Sequence, residues 1–305
     1  MVYMDISKIR NLVLDKNKNY ESSKSIKEWD LIIEPSPSLF KIDFKQLWKY
    51  RDLIFLLVRR DFVSVYKQTI LGPIWLFVQP ILTTITYILI FTKIAQIDTQ
   101  GVPPALFYMT GIIMWTYFSD CLSKISNTFI TNANVFGKVY FPRLVMPFSV
   151  VISNLIKFGV QFLLLAIVWT YYYVTTSNIL HLSIYIILLP AMIAVLAGLS
   201  MSLGIIISSF TAKYRDLTFL IGFGLQLMMF ATPIVYPLAI VPDHNKYKLL
   251  LNPVTPLIEG IKYSLFGKGL FSWSYLLYSL FVMIILLLIG IIVFNRTEKS
   301  FVDTV

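Results

Sequence analysis

From Ile74 to Phe294 the sequence keeps returning to long apolar runs, and this recurrence limits the available folds more than any other feature. About 20 such residues cross a hydrocarbon core of roughly 30 Å as a helix, in which each backbone amide finds its partner inside the segment. Six runs qualify, over about 74–97, 105–130, 144–173, 179–210, 217–235 and 273–294. The two-residue alternation of a membrane β-barrel is absent. Only 14% of the 305 residues are charged and 57% are hydrophobic, against about 25% charged in a soluble domain. The expected fold is an all-α integral membrane protein with six transmembrane helices.

Two other regions precede the spans. Residues 1–40 are polar and rich in Lys, Asp and Ser, and close on "EPSPS", whose prolines stop any helix; they read as a cytosolic N-terminal tail. Charges throughout "MVYMDISKIRNLVLDKNKNYESSKSIKEWD" leave no apolar core for a cleavable signal, so the first spanning helix is expected to direct insertion. Residues 41–70 have helical periodicity. Phe44, Leu47, Trp48, Phe55, Val58 and Phe62 share a face, Leu53, Leu56 and Leu57 widen it, and Lys45, Lys49, Asp52 and Arg60 lie opposite. Such a helix suits the headgroup plane at the cytosolic interface. Residues 71–305 then form the six-helix transmembrane domain.

Orientation follows from where the cations sit. Lys138 and Arg143 occupy the second loop, Lys213 and Arg215 the fourth, and Arg296 and Lys299 the tail, while the first and third loops carry almost none. Both termini are therefore expected inside. The loop from Pro237 to Ser272 falls outside despite Lys246, Lys248, Lys262 and Lys268, long loops being less bound by the charge rule. Its stretch "NPVTPLIEGIKYSLFGKG" is amphipathic and too short to span, and is expected to dip into the outer interface as short re-entrant helices.

Catalytic constellations are missing. His181 and His244 stand alone, no phosphate-binding G-x-x-x-x-G-K-[ST] loop occurs, and Gly222-Phe223-Gly224 lies in an apolar run without a strand before it. No metal site, no ATP hydrolysis and no cofactor is expected in this chain. Cys121 is single and apolar in its surroundings, and reads as a small buried hydrophobe. The net charge of +10 flanks spans and does not gather on a soluble domain, which favours membrane lipids over nucleic acid as the partner.

Polar residues inside spans carry the functional signal, because hydrocarbon penalises them. Thr116, Asp120, Ser123, Lys124 and Asn127 form a stripe on the second span, with Asp120 and Lys124 placed to pair, and Asn154, Lys157 and Gln161 form another on the third. These stripes either glue helices together or line a path. Trp115 lies in "MWTYF", where a ring could stack on a sugar, whereas "WTYYY" at 169–173 suits an interfacial belt. Ser200, Gly204 and Ser208 make a small-residue ridge for close helix packing.

Three stretches resemble one family. "RRDFVSVYKQTILGPIWLFVQP", "NANVFGKVYFPRLVMP" and "NPVTPLIEGIKYSLF" are similar, in order and on a six-span frame, to permeases of type-2 ATP-binding-cassette exporters that move O-antigen, capsule and teichoic-acid chains. The likeness runs from about residue 40 to the end and is nearest the O-antigen permeases. It implies a homodimer in a bacterial inner membrane, partnered by two ATPase subunits that bind ATP and Mg, carrying a lipid-linked polysaccharide. By the same resemblance, the turn at Leu71 and Gly72 lies near the substrate entrance, with Arg59, Arg60 and Lys67 at the depth of a pyrophosphate headgroup. These cations either orient that headgroup or anchor the helix to anionic lipid. The loop holding Asn132, Asn134, Phe136, Lys138, Tyr140 and Arg143 would dock on the ATPase, with Phe136 and Tyr140 as anchors, and Lys213, Tyr214 and Arg215 would add a lesser contact. Trp115, Thr116, Asp120 and Asn127 are the path-lining candidates. Two other readings stand beside this one: a type-2 exporter of a smaller lipid or drug, and a membrane transferase using Asp120, Asp216 or Arg143.

Overall fold

A computed structural model describes residues 44–67, 72–136, 141–176 and 182–302. The expected N-terminal tail, Leu71, Lys138 and Tyr140 lie outside the described residues, as does the side chain of Asn134.

The interface segment is two helices, α1 (Phe44–Lys49) and α2 (Arg51–Tyr66), broken at Tyr50. The buried face is narrower than the helical wheel suggests. Leu47, Leu57 and Val58 are buried, whereas Trp48 and Phe55 are about 70% exposed. Leu47 and Leu57 pack with Phe141, Val145 and Met146, so this segment is fastened to protein on one side and offers rings outward on the other.

Gly72 turns the chain at φ 48°, a left-handed value that favours glycine, and a single 3₁₀ turn, Gly72–Ile74, leads into α3 (Trp75–Tyr87). Pro80 sits inside α3 and, having no N–H, leaves the carbonyl of Leu76 without its helical donor. Gln161 Nε2 donates to that oxygen at 3.4 Å from a neighbouring helix. A π-helical turn, Ile88–Ile94, finishes the segment.

The helix α4 (Pro104–Ser126) begins with Pro at its first position and is the most enclosed long helix described. Two short helices, α5 (Thr128–Thr131) and α6 (Ala133–Phe136), lead towards α7 (Val145–Thr175). A 3₁₀ turn, Ile184–Leu188, then opens α8 (Leu189–Thr211), which is followed by α9 (Leu217–Phe230). After a turn come α10 (Asp243–Leu250), α11 (Val254–Phe266) and the long α12 (Trp273–Val302). The ridge on α8 lies against α4, and a Cβ at Gly204 would stand 2.8 Å from Ile125.

Four of these segments are long and apolar enough to cross a membrane unaided: Gly72–Ile94, Val145–Thr175, Ile184–Thr211 and Trp273–Thr297. The other two of the six expected spans differ for separate reasons. Although α4 has the length, it carries the polar stripe, which is tolerable because α3, α7, α8 and α11 surround it. The helix α9 has 14 residues, about 21 Å, and stops at Phe230 where the expected span ran to 235; Pro233 follows within a turn. The chain is an all-helical integral membrane protein that encloses its most polar long helix.

The stretch from Val254 to Phe266 is more enclosed than its amphipathic pattern suggests. It is a short helix, as expected, but its surroundings are protein: α11 is buried on nearly all sides, with Val254, Leu257, Ile258 and Ile261 fully enclosed, and it ends on Gly267 at φ 67°. Glu259 and Lys262 are buried with it, 3.2 Å apart, and Lys262 Nζ also donates to the Pro233 carbonyl at 2.5 Å and sits 4.0 Å over the Phe107 ring. Burial pulls the Lys262 ammonium's pKa down, and the Glu259 carboxylate opposes that pull. Lys262 is therefore no flanking charge of the kind that sets orientation, since its head never reaches a headgroup.

Candidate functional site

Polar side chains converge where α3, α4, α7 and α9 meet. Gln79, Thr83 and Tyr87 from α3, Trp115 and Thr116 from α4, and Gln161 from α7 line a recess of about 160 Å³. A drug-sized ligand needs about 300–1,000 Å³, so the recess is one wall of a surface and not a container. Trp115 is 7% exposed and packs on Phe118 at 5.5 Å between centroids, so little of its ring is free for a ligand. Gln79 and Thr83 escaped the sequence reading, although their spacing of four places both on one face of α3.

One helical turn from Thr116 along α4 lies an ion pair between helices. Lys157 Nζ on α7 is 2.6 Å from Asp120 Oδ2, and Lys124 Nζ donates to Asn154 Oδ1 at 3.0 Å. The expected pairing of Asp120 with Lys124 inside α4 is overturned, because α7 presents Lys157 at closer range than the neighbouring turn does. Asn127 sits at the C-terminal end of α4, donating to Ser123, more than two turns from the recess. Of the four path-lining candidates, the structure brings Trp115 and Thr116 to the recess, Asp120 beside it, and Asn127 elsewhere.

The entrance candidates are on the surface of α2 and the turn after it. Arg59 and Lys67 are exposed, and Arg60 is held by Asp61, with contacts of 2.8 and 3.0 Å that offset its charge locally. Gly72 is buried at the turn.

In the loop expected to dock on a partner, the aromatic side chain points inward. Phe136 is half-buried, 5.8 Å from the Phe129 ring and 5.7 Å from Phe141. Arg143 is 7% exposed, with its guanidinium 5.2 Å from the Phe136 ring and 5.8 Å from Phe129. Asn132 donates to the Thr128 carbonyl at 3.1 Å. Phe129 in turn packs on Phe294 of α12 at 4.8 Å. The loop is thus tied by one aromatic and cationic cluster to α2, α7 and α12 together. Phe129 and Phe294, which complete the cluster, carry no signal in sequence beyond being apolar.

Among the described residues no group of His, Cys, Asp and Glu is arranged to hold a metal ion. An enclosed polar helix, a wall of amide and hydroxyl groups between helices, and a loop packed into the bundle together describe a helical membrane domain. Residues 52–266 match the family described as ABC-2 type transporter. The chain belongs to that family, as a membrane transport component. An O-antigen export system permease protein RfbA from Myxococcus xanthus is 26% identical over 264 residues, covering 86% of this chain and 98% of the relative. A permease of the same name from Klebsiella pneumoniae is 28% identical over 255 residues, covering 83% of this chain and 94% of the relative. A second Klebsiella pneumoniae protein of that name is 26% identical over the same length.

Proposed function

We propose that this chain is the permease of an ATP-driven polysaccharide exporter, carrying an O-antigen-like glycan on a polyprenyl pyrophosphate carrier across the bacterial inner membrane. The observation that carries the reading is likeness to O-antigen export permeases along 94–98% of their lengths, together with the family match. In this reading both termini are cytosolic and the α2 end faces the cytosol. Two ATPase subunits bind ATP and Mg there and push on the segment from Asn132 to Arg143.

Phe136 then works by holding the loop and not by inserting into the partner, because its ring is engaged with Phe129, Phe141 and Arg143. The recess supports a two-copy assembly. Gln79 on α3 and Gln226 on α9 are exposed at membrane depth, where lipid would leave their amides without partners. A second copy facing them would give a hydrated path between protomers, lined by Gln79, Thr83, Thr116 and Gln161.

The test is reconstitution of the chain with its ATPase in vesicles supplied with lipid-linked glycan. ATP-dependent appearance of glycan on the far side is expected. Transport of short lipids or drugs with no response to glycan would replace the cargo, and transport without any ATPase subunit would end the reading.

A further inference from the structure

The Asp120–Lys157 pair differs from structural ion pairs in three respects. It is reachable, with Lys157 21% and Asp120 31% exposed. Its surroundings carry excess positive charge, because two ammonium groups, Lys157 and Lys124, face one carboxylate, and among the described residues Lys124 bonds to the neutral amide of Asn154. Polar atoms on the same stripe also lack partners: Ser153 Oγ and Asn127 Oδ1 are buried with no hydrogen bond among the described residues. Ser153 lies one turn before Lys157 on α7, and Asn127 lies two turns beyond Asp120 on α4.

Depth follows from the packing. The helices α4 and α7 run antiparallel, since 120 meets 157 and 124 meets 154, and Gln161 of α7 reaches Leu76 of α3. Tyr87 of α3 stacks edge-on against Tyr108 of α4 while Thr116 shares the recess with Gln79, so α3 is antiparallel to α4 and parallel to α7. One turn before the Leu76–Gln161 contact, α3 and α7 reach Gly72 and Lys157 respectively. The ion pair therefore lies level with the Gly72 turn.

We infer that Lys157, with Lys124 and Ser153, is a binding site for the diphosphate group of the transported lipid, and that Asp120 holds the site closed by occupying Lys157 until a diphosphate displaces it. The inference rests on the lipid-linked cargo proposed above and names the residues that take its anion. A diphosphate accepts charge-assisted hydrogen bonds from two ammonium groups and a hydroxyl, and its negative charge is met by both lysines once Asp120 no longer occupies one of them. Exchange of one anion for another at a single lysine costs less than uncovering a bare ammonium at that depth.

The experiment uses the full-length protein in nanodiscs, titrated with geranylgeranyl diphosphate, with inorganic diphosphate, and with phosphatidylglycerol in the bilayer. Lys157→Gln is expected to weaken geranylgeranyl diphosphate binding about tenfold or more, Lys157→Arg to retain most of it, and Asp120→Asn to tighten it. A pair that only glues α4 to α7 predicts something else: Asp120→Asn and Lys157→Gln would weaken binding equally, through lost folding visible as a lower melting temperature, and that symmetry overturns the inference. Lys157-dependent binding of inorganic diphosphate alone would assign the site to a free anion, and Lys157-dependent retention of phosphatidylglycerol alone to bulk lipid. Either result removes the lipid diphosphate. Should glycan export fail while the asymmetry between the two variants persists, the anion site stands and the exporter reading is what falls.

Discussion

Two ion pairs of this membrane protein are built on opposite plans. Glu259 and Lys262 belong to one helix, are 2–3% exposed, and are capped by a carbonyl and an aromatic ring. Asp120 and Lys157 come from two helices, are 21–31% exposed, and have surplus cationic charge and unmatched polar atoms beside them. The first pair has every contact it needs from the protein, so nothing is left for a ligand to offer. The second is held by a single contact between helices that another anion can replace. A charge at membrane depth is thus structural when its shell is closed and exchangeable when its shell is open, and sequence position distinguishes the two poorly.

The largest effect should come from breaking the closed pair on one side. Lys262→Met leaves Glu259 buried without its cation and is expected to cost about 3–5 kcal/mol, read as loss of folded protein or a lower unfolding midpoint. The double variant Glu259→Gln/Lys262→Met should recover much of that loss, and failure to recover would mean that the Pro233 and Phe107 contacts matter more than the charge. Next comes the back of α4, where Gly204→Val drives side-chain carbons into Ile125 and should cost about 1–3 kcal/mol. That measurement separates the rigid face of α4 from its polar face at similar depth.

A smaller and different effect belongs to Arg143. Arg143→Leu keeps bulk but removes the cation from between Phe129 and Phe136, a loss of about 0.5–2 kcal/mol. The expected readout is ATP hydrolysis that persists while glycan transport falls, measured as the ratio of the two rates in vesicles. Smallest is Asp120→Asn, which should shift stability by less than about 1 kcal/mol, because the pair it breaks is partly exposed. A loss as large as that of Lys262→Met would erase the distinction between the pairs.

Much of the bundle was legible because helix formation in lipid is a local matter. Apolar length alone pointed to helices where α3, α7, α8 and α12 stand, although α8 begins at Leu189 and not near 179, and α3 with its π-helical turn ends at Ile94 and not at 97. The recess was half legible: Trp115 and Thr116 lay on a visible polar stripe, but Gln79 and Thr83 were masked by the strong apolar character around them. Partner choice was the least legible. Spacing of four made Lys124 the natural mate for Asp120, yet a helix packed alongside supplied Lys157. The same limit explains α11, whose amphipathic pattern is equally compatible with a wet interface and with a polar face that satisfies itself against Pro233 and Phe107.

By itself the sequence determined that this protein is helical, crosses a membrane and keeps polar groups at membrane depth, since each follows from the cost of an unpaired amide or charge in hydrocarbon within a single segment. Only the tertiary structure decided which of those polar groups meet, which are sealed and which remain open to exchange. Those outcomes depend on how close one helix brings its side chains to another, and no spacing along a single chain contains that distance.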